Sequence, residues 1–146
     1  MVAHPSILLI EDSPGECELF RLALTQTGLD VALYIEYDAE AAFQFLEDRV
    51  HHHPLPALIL LDLKLGRRNG CDFLKRLRAD ARFAAIPVVV FTTSDDQTDL
   101  ARCYASGANG YVVKPGTFDE LVHCTADLCR YWLKWNRSLL MADTRC

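Results

Sequence analysis

Four polar groups stand where they could do chemistry together. Glu11-Asp12 follow the apolar run Ser6–Ile10, and Asp62 follows Ala57–Leu61. Thr92-Thr93-Ser94 follow Pro87–Phe91, and Lys114-Pro115 follow Gly110–Val113. Brought to one place, these groups would make a pocket of three carboxylates, a hydroxyl and an ammonium. Three close carboxylates repel one another strongly at low effective dielectric. A hard divalent cation such as magnesium relieves that repulsion, because it takes oxygen ligands. A carboxylate can then act as a nucleophile toward phosphorus. The metal and a lysine neutralise phosphoryl oxygens while a hydroxyl orients one of them. Taken singly, each residue has a plainer role as loop acid, strand end or surface charge. Their common position, directly after successive apolar runs, distinguishes the set.

Those runs need elements to carry them. Five apolar stretches alternate with five helix-like segments, the remaining stretch being Val31–Glu36. Runs that are apolar at every position suit strands buried on both faces, as in a parallel sheet covered by helices. The alternation predicts an α/β fold with right-handed crossovers. In such sheets ligands bind beyond the carboxyl ends of the strands, where all four groups fall. Ser13-Pro14-Gly15-Glu16, Ser94-Asp95-Asp96-Gln97 and Thr117-Phe118-Asp119-Glu120 read as helix starts, and Asp38 as a further cap. Gly28 and Gly107 fit helix stops.

Composition bounds the rest. A length of 146 residues, 51% hydrophobic and 24% charged, fits one globular domain with a core near 6–136 and a short tail, 137–146. A chain of this size needs no disulfide or metal staple. No apolar run reaches the roughly 20 residues of a membrane helix, and the start lacks the form of a secretory signal. Net charge of -5 disfavours nucleic acid as a partner. Residues 1–50 hold ten acidic side chains against Arg21 and Arg49, whereas residues 64–82 hold seven basic ones against Asp72 and Asp80. The basic stretch is either a solvated face or a surface for an acidic partner. Cys17, Cys71, Cys103, Cys124, Cys129 and Cys146 form no CxxC pair, which reads as free thiols in a reducing cytoplasm. His51-His52-His53, just before Pro54, reads as a surface loop rather than a metal tract.

Other phosphate chemistries fit poorly. No GxGxxG or GxxxxGK[ST] follows a strand, and no Ser-His-Asp or Cys-His arrangement can be placed. Aspartyl phosphatases usually carry a second acid two residues after the nucleophile, and here that position is Lys64.

The motifs Ile7-Leu-Leu-Ile-Glu-Asp12, Leu60-Leu-Asp62-Leu, Val90-Phe-Thr92-Thr-Ser94 and Gly110-Tyr-Val-Val-Lys114-Pro115 together resemble the receiver domain of bacterial response regulators. The resemblance runs from Ile7 to about Trp135. It implies a flavodoxin-like, doubly wound, five-stranded parallel sheet of order 2-1-3-4-5 with five helices. It implies Asp62 as the acceptor of phosphate from a sensor histidine kinase. Glu11, Asp12 and Asp62 would hold Mg2+, helped by the backbone carbonyl of Lys64. Thr92 and Lys114 would engage the phosphoryl group, Tyr111 would be the switch aromatic, and the Lys114-Pro115 bond would be cis. The chain departs from the family at Gly66, where proline is usual, and at Asn69, often aspartate. Lys64 and Ser94 occupy positions that tune phosphoryl lifetime.

Ile86-Pro-Val-Val-Val90, Thr92-Thr-Ser-Asp95 and Tyr131-Trp-Leu-Lys-Trp135 are similar to the small regulators paired with bacterial phytochromes. With about ten residues after the last helix, output is expected through protein contact, with no separate effector domain. Cys124, Leu128, Tyr131 and Trp135 widen the apolar arc of that helix. Either they cover the domain edge, or they form a homodimer through the fourth helix, fifth strand and fifth helix, as the resemblance implies. The competing functional class is a docking or dimerisation module that works without phosphorylation.

Overall fold

The computed structural model describes residues 4–139. The expected tail therefore lies mostly outside the described residues, as does Cys146. The strands are β1 (Ser6–Ile10), β2 (Ala32–Glu36), β3 (Leu58–Leu61), β4 (Lys64–Leu65), β5 (Arg68–Asn69), β6 (Val88–Thr92) and β7 (Gly110–Val113). The helices are α1 (Pro14–Gln26), α2 (Ala39–Arg49), α3 (Gly70–Ala79), α4 (Gln97–Ala105) and α5 (Phe118–Cys129), with a π-helical turn, Arg130–Trp135, continuing α5.

The main sheet has the order β2-β1-β3-β6-β7, and every pair in it is parallel. Counted without the small hairpin β4–β5, that is the expected order 2-1-3-4-5. Residues of β1, β3 and β6 are buried at every position, which is why those stretches carry no alternation in sequence. Successive side chains of a strand point to opposite faces. Leu8, Ile10, Ile59 and Leu61 meet Phe43 and Leu46 of α2 and Leu74 and Leu77 of α3. Ile7, Leu9, Leu58 and Leu60 meet Cys17, Phe20 and Leu24 of α1 and Leu128 and Cys129 of α5. Two helices thus cover each of these faces. Phe43 stands edge-on to Phe83, with ring centres 5.5 Å apart. A smaller cluster joins Leu63, Cys71, Val90 and Cys103, with Tyr111 packed against it.

Caps form where the sequence places them. Ser13, Asp38 and Thr117 accept the backbone N–H of Glu16, Ala41 and Glu120. Gly28 and Gly107 follow α1 and α4 with positive φ. Three features differ from expectation. Helix α4 starts at Gln97, not beside Ser94, because Asp96 accepts the Thr98 N–H at 2.7 Å and takes the cap role. The last helix widens after Cys129, and the Asn136 N–H donates to the carbonyl of Tyr131, five residues back, at 2.6 Å. The hairpin β4–β5 was not legible as strands at all. Gly66 turns it with φ of 64°, a conformation costly for other residues.

His51, His52 and His53 are exposed in a loop. The five described cysteines are free. Among the described residues no helix is long and apolar enough to cross a membrane.

Candidate functional site

The sheet ladder itself delivers the site residues to one rim. The Glu11 N–H donates to Glu36 O, the Asp62 N–H to Ile10 O and the Lys114 N–H to Thr92 O at 2.7–3.1 Å, each extending the pairing by one residue past a strand end. Backbone register thus fixes where these side chains begin. Glu11 is 3% exposed and Asp62 7%.

Lys114 closes the cluster. Its Nζ lies 2.6 Å from Glu11 Oε2 and 3.1 Å from Asp62 Oδ2, with Glu16 Oε2 at 3.7 Å. Its stem runs past Phe91, whose ring centre is 5.9 Å from the ammonium. Behind it opens a cavity of about 270 Å³ lined by Leu9, Phe20, Phe91, Pro115 and Phe118. The lysine therefore meets carboxylates on one side and an apolar wall on the other. Asp62 Oδ1 also accepts the Lys64 N–H at 3.2 Å, and Glu11 Oε1 accepts the Ser13 N–H at 3.2 Å.

These contacts pull the two acids apart in proton affinity. Burial pushes the Glu11 carboxyl up to about 7, and Asp62 adds to the rise against the opposing pull of Lys114. Burial works against the charge on Asp62 too. There the hydrogen bond with Glu11, the ammonium of Lys114 and the Lys64 N–H outweigh it, holding its carboxyl below the usual range. Burial opposes the Lys114 charge, but Glu11 and Asp62 more than compensate and hold its ammonium above the usual range. Asp62 is thus held ionised beside the Lys114 ammonium.

The other expected residues sit on the same rim in different company. Asp12 is exposed, and its Oδ2 accepts the Gly66 N–H of the hairpin at 2.9 Å. Thr92 is fully buried, and its hydroxyl accepts the Ser94 N–H at 3.4 Å. The Tyr111 hydroxyl donates to the Ser94 carbonyl at 2.8 Å. One expectation needs correction. No cis peptide bond occurs among the described residues, so Lys114-Pro115 is trans. Trans is the intrinsically lower isomer, and from it Lys114 already reaches both acids. Glu11 and Asp62 both meet Lys114, and Asp12 bonds the hairpin. Among the described residues no three His, Cys, Asp or Glu side chains could hold a metal ion as they stand. The ammonium fills the gap between Glu11 and Asp62, and Gly66 draws Asp12 aside. The donor set nonetheless suits a hard cation, being all oxygen and mostly carboxylate.

Sequence reasoning missed the Gly66 contact with Asp12 and the Ser94 hydroxyl, which donates to Asp99 Oδ2 of α4 at 2.7 Å. The glycine after Leu65 was the available signal for the first. The second spans five residues across a loop and leaves no periodic trace. Of the four residues proposed for a dimer face, Tyr131 and Trp135 are 53% and 68% exposed, whereas Leu128 is 7% exposed and belongs to the core. Cys124 is half-buried. Leu128, Cys124 and Tyr131 line a cavity of about 480 Å³ with Val112 of β7 and the acids Asp119 and Glu120.

Residues 7–126 match the family model described as the response regulator receiver domain. The probable methanogenesis regulatory protein FilR2 of Methanothrix harundinacea is 37% identical, over 90% of this chain and 86% of that one. The response regulator Rcp1 of Synechocystis sp. is 33% identical over 88% of each chain. Its Mn(2+)-bound crystal structure superposes with a TM-score of 0.78, at 32% identity, over 91% of this chain and 97% of that one. The phosphorylated cyanobacterial phytochrome response regulator RcpA reaches a TM-score of 0.84, at 27% identity, over 94% of this chain and 99% of that one.

Close packing under Asp62 can be tested directly. A Cβ on Gly70 would lie 2.6 Å from the Asp62 carbonyl oxygen and 3.3 Å from Leu63 Cα, both backbone atoms. Gly70→Ala is expected to cost about 1–3 kcal/mol in urea unfolding, as overpacking does. Gly116→Ala meets nothing within 4 Å and should change stability by less than about 0.5 kcal/mol.

Proposed function

The chain belongs to the response regulator receiver family, and from that premise we propose that it is a switch phosphorylated on Asp62 by a sensor histidine kinase. The observation that carries this reading is the Asp62–Lys114–Glu11 contact. It keeps one buried carboxylate ionised and places an ammonium beside it. In the transfer, an Asp62 carboxylate oxygen bonds to the phosphorus of a phosphohistidine. The P–N bond breaks, and the imidazole leaves with the electron pair and takes up a proton. Lys114 then pairs with the phosphoryl oxygens, and the Thr92 hydroxyl donates to one of them. Magnesium would be held by Glu11, Asp12 and Asp62 with the Lys64 carbonyl, and would neutralise phosphoryl charge. Rcp1 has been solved with manganese bound, which favours a divalent cation at this rim.

The kinase proposed is a phytochrome, on the likeness to the phytochrome response regulator RcpA. Signal would leave through protein contact in the cytoplasm, with neither nucleic acid nor membrane as partner. A homodimer through α4, β7 and α5 would cover Tyr131 and Trp135, with Cys124 and Leu128 beneath them. Strand β7 pairs with β6 alone and lies at the sheet edge on that side. Aromatic anchors of this kind suit an isologous interface.

Incubation with acetyl phosphate and magnesium should add one phosphoryl group by intact mass, and Asp62→Asn should add none. No gain in the parent would favour the docking module instead. Sedimentation should give a dimer for the parent and a weaker association for Tyr131→Ala and Trp135→Ala. Unchanged mass in both variants would overturn the proposed interface.

A further inference from the structure

The residue Ser94 is held at three points. Its N–H donates to the buried Thr92 hydroxyl at 3.4 Å, and its carbonyl accepts the Tyr111 hydroxyl at 2.8 Å. Its own hydroxyl donates to Asp99 Oδ2 at 2.7 Å and accepts the Asp96 N–H at 3.3 Å. Asp96 caps α4, and Asp99 lies in the first turn of that helix. One residue therefore connects the strand end bearing Thr92, the aromatic on β7 and the start of α4.

We infer that Asp99 is a positioning residue: through Ser94 it couples events at the Thr92 hydroxyl to the first turn of α4. The inference rests on the reading of Asp62 as phosphoacceptor. A hydroxyl can accept from one partner while donating to another. When the Thr92 hydroxyl donates to a phosphoryl oxygen, its acceptance from the Ser94 N–H strengthens, because bonds in a chain polarise one another. The Ser94 peptide is drawn toward the rim, and Asp99 transmits that pull to α4. Coupling of this kind is reciprocal. A partner that grips α4 changes how the Thr92 hydroxyl is held.

The Asp99 charge also favours the N-terminus of α4 on its own, so stability alone cannot separate coupling from simple helix support. The distinguishing readout is the change in α4 on phosphorylation. Hydrogen exchange of residues 97–105 would be followed with magnesium, with and without acetyl phosphate, and intact mass would report phosphorylation. The parent is expected to show a difference between the two states. Asp99→Ala should take up the phosphoryl group and lose that difference, and adding Ser94→Ala to it should remove nothing further from the α4 response. Asp99→Asn, which keeps an acceptor oxygen, should retain it. Phosphorylated Asp99→Ala with an undiminished difference overturns the inference alone. Loss in Asp99→Asn as well overturns it in favour of charge at the helix start. A parent whose α4 does not respond to phosphorylation also overturns it. A parent that gains no phosphoryl mass overturns the reading of Asp62 and the inference with it.

Discussion

A single ammonium holds the functional rim together. Lys114 lies between two buried carboxylates, 2.6 Å from Glu11 and 3.1 Å from Asp62. Burying a charge is costly unless it is paired and hydrogen-bonded. Here each charge is the other's partner, so none of the three is free to move alone. The order of the sheet makes the contact demanding. Strand β6 lies between β3, which ends one residue before Asp62, and β7, which ends one residue before Lys114. The lysine must cross the width of a strand to reach its acids. A flexible four-carbon stem does this, and a compact point charge can face two carboxylates at once.

Much of this was legible in sequence because it depends on local pattern. Unbroken apolar runs identified β1, β3 and β6, since a strand covered on both faces has no polar side. The caps Ser13, Asp38 and Thr117 were legible because capping is a contact within a few residues. The convergence of Glu11, Asp62 and Lys114 followed from the parallel-sheet rule once the resemblance supplied the strand order. What stayed hidden depends on contacts distant in sequence. Asp12 and Gly66 are 54 positions apart, and nothing near Asp12 signals that a hairpin amide will draw it aside. Ser94 has the form of a helix start, yet its hydroxyl bonds Asp99 while Asp96 takes the cap.

Two strings of contacts leave the rim in different directions. One runs from Asp62 and Lys64 into the hairpin, whose Gly66 amide touches Asp12. The other runs from Thr92 through Ser94 to Tyr111 of the edge strand β7 and to α4. Charge is compensated at the centre, and connections toward the surface are made by hydrogen bonds, two of which end on the carboxylates of Asp12 and Asp99. A phosphoryl group on Asp62, as proposed above, would meet the first string at Lys64 directly and the second through the Thr92 hydroxyl. That is the physical requirement for a local modification to have a distant effect.

The most direct measurement on the rim is thermal unfolding with and without millimolar magnesium. A ligand that binds the folded chain and not the unfolded one raises Tm by mass action. If Glu11, Asp12 and Asp62 form a hard-cation site around the buried Asp62–Lys114 pair, magnesium should raise the Tm of the parent. Asp12→Asn should reduce that rise. A Tm that does not respond to magnesium would contradict a rim organised to receive a cation and, after it, a phosphoryl group.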